Sequence, residues 1–149
     1  MDPLLLGTPG GDRLVIAVHG RSLPGEDDYW DGNWLLSPIE IVADGVRTWL
    51  RDAGLRTDEL QSFREELTAC LASGGAARLS SLEEWIELTV AVEPGETVLV
   101  AGVARDPGVE NWADGPVRFR IDGVDRRQLA EAVRVLEEMA AAYPVVGEP

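Results

Sequence analysis

Alternating hydrophobic and polar positions predict the first extended part of the chain. In residues 13–22 (RLVIAVHGRS), Leu14, Ile16 and Val18 share one side of an extended backbone. A repeat of two residues is the period of a half-buried strand, so this segment is predicted to be a β-strand. Turn-forming and acidic residues then fill positions 23–32, which are predicted to be a loop.

A second alternating pattern surrounds Asp44-Gly45 and predicts a β-hairpin. Asp-Gly favours a type I′ turn, because both central residues of that turn need positive φ. A two-residue turn at this position sets three opposing pairs: Ile39 with Leu50, Glu40 with Trp49, and Ile41 with Thr48. Ile39 and Ile41 would then face the core, and Glu40 would lie diagonal to Arg47 and Arg51 on the other face.

Two further segments show the three- and four-residue spacing of amphipathic helices. Thr57, followed by two acids, is predicted to be the N-cap of the first helix, and Gly74-Gly75 is predicted to end it. Its apolar stripe consists of Leu60, Phe63, Leu67 and Leu71. The last helix is predicted over residues 125–143, before Pro144, and its stripe consists of Leu129, Val133, Leu136, Ala140 and Tyr143.

Between the helices, residues 84–92 and 97–104 are predicted to be strands joined by a turn at Glu93-Pro94-Gly95-Glu96. Residues 97–104 are apolar on both faces, which is typical of a central strand covered on each side. After a long loop, residues 117–122 are predicted to form a further strand with Val117, Phe119 and Ile121 directed inward.

Strands joined by hairpins, with helices between and after them, indicate an α+β fold. We predict a single domain over residues 1–149, with a mainly antiparallel sheet built from hairpins and two helices packed on it. The glycine-rich segment 7–11 is interpreted as a flexible lead-in to the first strand. No internal repeat or dividing linker is present in the sequence.

Composition narrows the class of protein. The chain has 149 residues and a formal net charge of −14, and all 13 of its basic residues are arginine. Such a charge disfavours nucleic-acid binding, because phosphate contacts need clustered cations.

The chain has neither a signal-peptide pattern nor a run of about 20 apolar residues, so a cytoplasmic protein without membrane contact is expected. The oligomeric state is left open.

Candidate catalytic and metal-binding residues are few. One cysteine, Cys70, and one histidine, His19, cannot supply a four-ligand zinc site, and Cys70 is interpreted as a buried core residue. The absence of lysine excludes lysine-based catalysis, and no nucleophile motif accompanies His19. An EF-hand reading of residues 27–38 fails, because Tyr29 and Pro38 stand where ligands are needed. We therefore predict no catalytic residue, no metal site and no cofactor.

Aromatic side chains beside carboxylates are concentrated in two loops, and such surfaces are typical of protein interfaces. The predicted partner-binding residues are Asp28, Tyr29, Trp30, Asp31, Asn33, Trp34, Glu110, Trp112 and Asp114. Two alternatives stay open: a small-ligand or hydrolytic domain with a pocket lined by Trp30 or Trp34, and an interaction module for another partner. The tryptophans could equally pack against the end of the sheet, in which case the loop would be structural.

Four segments carry a resemblance to a known family: Gly20-Arg21, Asp28-Tyr29-Trp30-Asp31-Gly32-Asn33-Trp34, the helix start Thr57-Asp58-Glu59-Leu60 and the closing Tyr143-Pro144-Val145-Val146-Gly147. In these segments the chain resembles the WapI-like immunity proteins of contact-dependent toxin systems. The resemblance spans nearly the whole chain. It implies a bacterial, non-catalytic, cytosolic antidote that binds a cognate toxin domain, expected to be a nuclease or another basic protein. The resemblance supplies no catalytic residues.

Overall fold

Two four-stranded sheets and two long helices make up most of the computed structural model, which describes residues 1–109 and 115–149. In chain order the elements are β1 (Leu4–Gly7), β2 (Arg13–Ile16), β3 (Gly20–Arg21), α1 (Tyr29–Gly32), β4 (Leu35–Leu36), β5 (Ile39–Ala43), β6 (Val46–Leu50), α2 (Thr57–Ser73), β7 (Gly75–Ser80), β8 (Ile86–Val92), β9 (Val98–Ala104), β10 (Val117–Ile121) and α3 (Arg126–Ala142). The sheets have the orders β1-β2-β5-β6 and β10-β9-β8-β7, while β3 pairs with β4. Every pairing is antiparallel, so the α+β prediction is confirmed.

The β5–β6 hairpin confirms the predicted register at all three pairs. Asp44 and Gly45 have φ values of 53° and 75°, as a type I′ turn requires. The Glu40 carboxylate accepts a hydrogen bond from the Nε atom of Arg47 at 2.7 Å. The other predicted diagonal partner, Arg51, lies instead with its Nε atom 4.0 Å from the neighbouring Asp52.

The β8–β9 hairpin is also confirmed, with a hydrogen bond from the Glu93 backbone N–H to the Thr97 carbonyl at 2.8 Å closing its turn. The strand β9 is central in its sheet, as predicted. The prediction that both faces of this strand are covered is wrong, because Ala101 is exposed on the outer face. The face of β9 that carries Val100 and Ala104 contributes to the buried core.

The two long helices close the core. The helix α2 packs on β7 and β8, and α3 packs on α2 and β1. Cys70 is buried on α2, as predicted, and Gly74 with φ 76° caps the C-terminus of that helix. At the start of α3, the Asp125 carboxylate accepts a hydrogen bond from the Gln128 backbone N–H at 2.8 Å.

Two strands of the four-stranded sheets were not predicted, and neither was the short strand β4. The first, β1, contains three consecutive leucines, which show no alternation, yet Leu4 and Leu6 are fully buried. The segment 7–11 is therefore part of a closed hairpin loop rather than a flexible lead-in, since the Thr8 N–H donates to the Asp12 carbonyl at 2.9 Å. The second, β7, follows α2 directly and has small residues that give a weak alternating signal.

Three predicted boundaries also need correction. The strand expected over 13–22 is interrupted after Ile16, because the opposing chain contains Pro38, which has no N–H to donate. The loop expected over 23–32 ends in the single-turn helix α1. The N-cap of α2 is Arg56, whose backbone is extended, whereas Thr57 already lies in the helix.

Within residues 1–109 and 115–149, no helix has the length and apolar character needed to cross a membrane. In the same residues, no three or more His, Cys, Asp or Glu side chains are grouped so as to hold a metal ion.

Candidate functional site

A helix cap organises the first of the two loops, residues 28–34, which we call the aromatic-acidic loop. The Asp28 carboxylate accepts hydrogen bonds from the backbone N–H groups of Trp30 and Asp31, each at 3.0 Å. These bonds satisfy N–H groups that would otherwise lack partners at the start of α1. Asp28 and Asp31 remain exposed, as does Trp30.

The side chain of Arg56 occupies the centre of the aromatic cluster. Arg56 is 1% exposed, and its guanidinium carbon lies 5.1 Å from the ring centre of Tyr29, 5.5 Å from that of Trp30 and 4.9 Å from that of Trp34. Distances below about 6 Å allow cation–π attraction. The space between the three rings is thus filled by a cation of the chain itself.

All three branches of the Arg56 guanidinium donate hydrogen bonds. The Nε atom donates to the Asp58 carboxylate at 3.0 Å, and the two terminal nitrogens donate to the carbonyl oxygens of Trp30 at 2.9 Å and Tyr29 at 2.7 Å. The Tyr29 hydroxyl donates to the same Asp58 carboxylate at 3.2 Å. This network holds α1 against the start of α2.

Asn33 connects the same loop to the end of the chain. Asn33 is fully buried, and its amide nitrogen donates to the carbonyl oxygens of Tyr29 at 2.8 Å and Val146 at 2.9 Å. Its amide oxygen accepts from the Val146 N–H at 2.9 Å. A Cβ on Gly147 would lie 2.5 Å from the Tyr29 nitrogen, so the close approach of the tail requires glycine there.

Arg21 provides a second link between the loop and the tail. One terminal nitrogen donates to the Gly32 carbonyl at 2.7 Å, and the other donates to the Pro144 carbonyl. Its guanidinium also lies over the Tyr143 ring, 6.0 Å from the ring centre. The loop, β3 and the C-terminal segment therefore form one connected structure.

The predicted site residues consequently differ in exposure. Trp30 is 55% exposed, Tyr29 and Trp34 are half-buried, and Asn33 is inaccessible. Glu26, Asp27, Asp28 and Asp31, which are close to Trp30 in the sequence, are likewise exposed. Glu110, Trp112 and Asp114, the other predicted contact residues, lie outside the described residues.

A surface cleft of about 550 Å³ adjoins Trp30, between α1 and the loop before β8. Its lining includes Leu82, which is 60% exposed, and the side chains of Asp58, Glu84 and Glu87. A concave surface beside Trp30 is what the small-ligand alternative requires.

Glu59 lies at this cleft and joins its two sides. One carboxylate oxygen accepts a hydrogen bond from the Arg56 N–H at 2.8 Å, and the other accepts from the Leu82 N–H at 2.5 Å. Burial raises the pKa of Glu59 to about 7, because desolvation outweighs the stabilisation of the charged form by these two N–H groups.

This raised pKa predicts a pH-dependent contribution to stability. The folded state keeps the Glu59 proton at pH values where the unfolded state, with a pKa near 4.5, has lost it. The contribution of Glu59 is therefore full below about pH 4.5 and declines as the pH rises to about 7. We expect urea unfolding to show that wild type loses stability relative to Glu59→Gln across this range.

Glu40→Gln is a control of opposite sign. Hydrogen bonds from Arg47 and Arg13 lower the pKa of Glu40, so its contribution is present above its unfolded pKa and is lost as the pH falls through the folded value. Parallel pH profiles for wild type and Glu59→Gln would contradict the prediction for Glu59.

Sequence reasoning missed Arg56, Arg21 and the tail as parts of this site. Arg56 directly precedes the predicted helix start, and a lone arginine there carries no visible signal of a tertiary role. His19, the single imidazole candidate, is exposed between β2 and β3.

Comparison with models of known protein families places the chain in a family. The family model described as the immunity protein WapI-like family matches residues 5–144. No curated protein and no solved structure matches the chain.

Proposed function

The chain belongs to the WapI-like immunity protein family, and from this premise we propose that it neutralises a cognate bacterial toxin domain by binding it through the surface around Trp30. We define the Trp30 surface as Glu26, Asp27, Asp28, Trp30 and Asp31. Membership of an immunity family favours a binding role without catalysis.

The single observation that carries this proposal is an exposed tryptophan on a rigid support. Trp30 is 55% exposed, although its carbonyl binds Arg56 and its N–H binds Asp28. The ring also packs edge-on against Tyr29, with centroids 5.0 Å apart. A rigid aromatic group loses little conformational freedom on binding, and tryptophan is enriched among residues that dominate interface energetics.

The negative charge of the Trp30 surface favours a basic protein as the partner. The four acids of the Trp30 surface are exposed around the tryptophan, in a chain with a formal net charge of −14. Such a surface accelerates encounter with a basic protein and complements a basic substrate cleft. We therefore propose a nuclease as the toxin and the cytoplasm as the place of action. Glu110, Trp112 and Asp114 remain proposed contacts on the basis of the sequence.

The test is calorimetric titration with the toxin domain encoded by the adjacent upstream gene, at low and moderate salt. We expect nanomolar binding that weakens as salt rises. The double variant Trp30→Ala with Asp31→Ala should raise the Kd by at least about 30-fold, corresponding to about 2 kcal/mol. Neither side chain belongs to the buried core, so the unfolding midpoint should stay within a few degrees of wild type.

The matched control is Trp49→Ala with Asp52→Ala. Trp49 is 46% exposed on β6, and Asp52 is also exposed, but both lie outside the Trp30 surface. This variant should bind the toxin as wild type does. Equal weakening in both double variants, or in neither, would refute the assignment of the surface.

A small-ligand-binding domain is the second candidate, because a cleft of about 550 Å³ borders Trp30. This function predicts a change in tryptophan fluorescence when a small cationic or sugar ligand is added without any protein partner. Failure of the toxin titration together with such a change would favour this candidate.

A further inference from the structure

We propose that the cleft between Trp30 and Leu82 receives an arginine side chain of the toxin, flanked there by an apolar residue. This inference rests on the proposed function and names the chemistry by which the partner is recognised. We call this region the Trp30–Leu82 cleft; the residues that line it include Trp30, Leu82, Asp58, Glu84 and Glu87.

Two exposed apolar side chains line the cleft. Trp30 and Leu82 are 55% and 60% exposed, and both line the same concavity, one from α1 and one from the loop before β8. Burial of apolar surface contributes about 25 cal/mol per Å² removed from water. A partner group placed between these side chains would therefore gain from contact with both.

The cleft is also lined by carboxylates that can bind a cation. The Arg56 guanidinium, which also lines the cleft, already donates to Asp58 and to two backbone carbonyls. Glu87 accepts one hydrogen bond, from the Ser80 hydroxyl at 2.8 Å, and Glu84 pairs with Arg105. A carboxylate has about four acceptor positions, so both Glu84, which already pairs with Arg105, and Glu87, which accepts from a neutral hydroxyl, retain the capacity to bind a cation from a partner.

The indole and the two glutamates of the cleft favour arginine over lysine as the bound side chain. A guanidinium is planar, stacks on an aromatic ring and donates paired hydrogen bonds to a carboxylate, whereas an ammonium group acts as a point charge. A cleft with an exposed indole at one side and two glutamates at the other offers both kinds of contact to one guanidinium. Its long aliphatic stem would contact Leu82.

The cleft is also preformed. The Leu82 N–H donates to Glu59, and the Trp85 N–H donates to the Ser81 hydroxyl at 2.9 Å. The Glu84 N–H donates to the Ser81 carbonyl at 3.0 Å. A loop held by three such bonds needs little ordering when a partner binds, which lowers the entropic cost of association.

The probe is the peptide acetyl-Leu-Arg-Leu-amide, compared with its lysine and citrulline analogues. Citrulline has nearly the shape of arginine but no charge. In NMR titrations of the full chain, the arginine peptide should shift the Trp30 indole N–H and the amides of Leu82 and Glu87. We expect the lysine peptide to bind about threefold more weakly and the citrulline peptide at least about tenfold more weakly, since charge and planar pairing are both required.

Variants locate the site. Glu84→Gln with Glu87→Gln should weaken arginine-peptide binding at least about fivefold, and Leu82→Ala should weaken binding of all three peptides. The control Glu137→Gln, on the exposed face of α3, should leave binding unchanged. Equal binding of the citrulline peptide, no shift at Trp30, or no effect of the double glutamine variant would overturn the inference.

The same double glutamine variant separates this inference from the proposed function. If the toxin binds wild type and is weakened by the Trp30 and Asp31 substitutions, but not by Glu84→Gln with Glu87→Gln, the cleft inference fails and the proposed function stands. If the toxin does not bind wild type at all, the proposed function fails, and with it the assignment of the arginine to the toxin.

Discussion

Replacing Arg56 with methionine is expected to lower the free energy of unfolding by about 3–5 kcal/mol. Arg56 is 1% exposed, and the substitution leaves the carbonyls of Tyr29 and Trp30 short of a donor and Asp58 without its counter-charge. Each buried polar group that loses a partner costs about 1–3 kcal/mol, which applies to the two carbonyls. Loss of the counter-charge adds to this cost, although Asp58 is 28% exposed and keeps the hydrogen bond from the Tyr29 hydroxyl. Urea unfolding monitored by circular dichroism measures the change.

Two companion variants make this result interpretable. Arg51→Met removes an arginine that is exposed beside Asp52, and it should change stability by less than about 0.5 kcal/mol. Arg56→Lys should recover less than half of the loss, because an ammonium group cannot reproduce three hydrogen bonds in a planar fork. A loss below about 1 kcal/mol for Arg56→Met would show that the aromatic cluster does not depend on its arginine.

Replacing Asn33 with alanine is expected to cost about 2–4 kcal/mol and to release the C-terminal segment. The fully buried amide is the hydrogen-bond partner of both the N–H and the carbonyl of Val146. Each buried polar group left without a partner costs about 1–3 kcal/mol. Urea unfolding gives the stability change, and amide hydrogen exchange should show faster exchange at residues 145–148.

A thermodynamic cycle tests the mechanism of this effect. If Asn33 acts through the tail, then Asn33→Ala should cost much less in a chain truncated after Pro144 than in the full chain, because the shared bonds are already lost. The control Gln61→Ala removes an amide whose nitrogen donates to the exposed Glu65 at 3.3 Å, and it should change stability by less than about 0.5 kcal/mol. Additive effects of Asn33→Ala and truncation would refute the coupling.

The β5–β6 and β8–β9 hairpins were predicted well because their signals are local. In β5–β6, an Asp-Gly turn and alternating residues within twelve positions set the register without any distant contact. The glycine end of α2 and the Asp125 start of α3 were recognised for the same reason.

The missed strands are those whose pattern depends on distant partners. Three leucines in β1 become alternating only when β2 pairs beside them and buries Leu4 and Leu6. The small residues of β7 are strand-forming only because β8 pairs with them and α2 covers Ala77 and Leu79. In both cases tertiary burial outweighs a weak local preference.

The candidate site was only partly visible in the sequence. The aromatic-acidic loop stands out by composition, and the exposed Trp30 within it was selected on that basis. The sequence pattern could not reveal that Asn33 is buried. It also could not reveal that Arg56 fills the aromatic cluster, because Arg56 lies 22 residues after Trp34, the last ring of that cluster. The cleft beside Leu82 likewise requires α1 and the loop before β8 to meet in space.

By itself, the sequence determined the α+β class, the β5–β6 and β8–β9 hairpins, the two long helices and the acidic character. Turn chemistry, side-chain periodicity and charge act locally or add up over the chain. Only the tertiary structure decided which residues of the aromatic loop face solvent and which support it. Tyr29, Asn33 and Trp34 share one short segment with Trp30, and their exposure depends on Arg56 and Val146, which come from distant parts of the chain. Burial is a property of the packed surface, and a local pattern therefore cannot assign it.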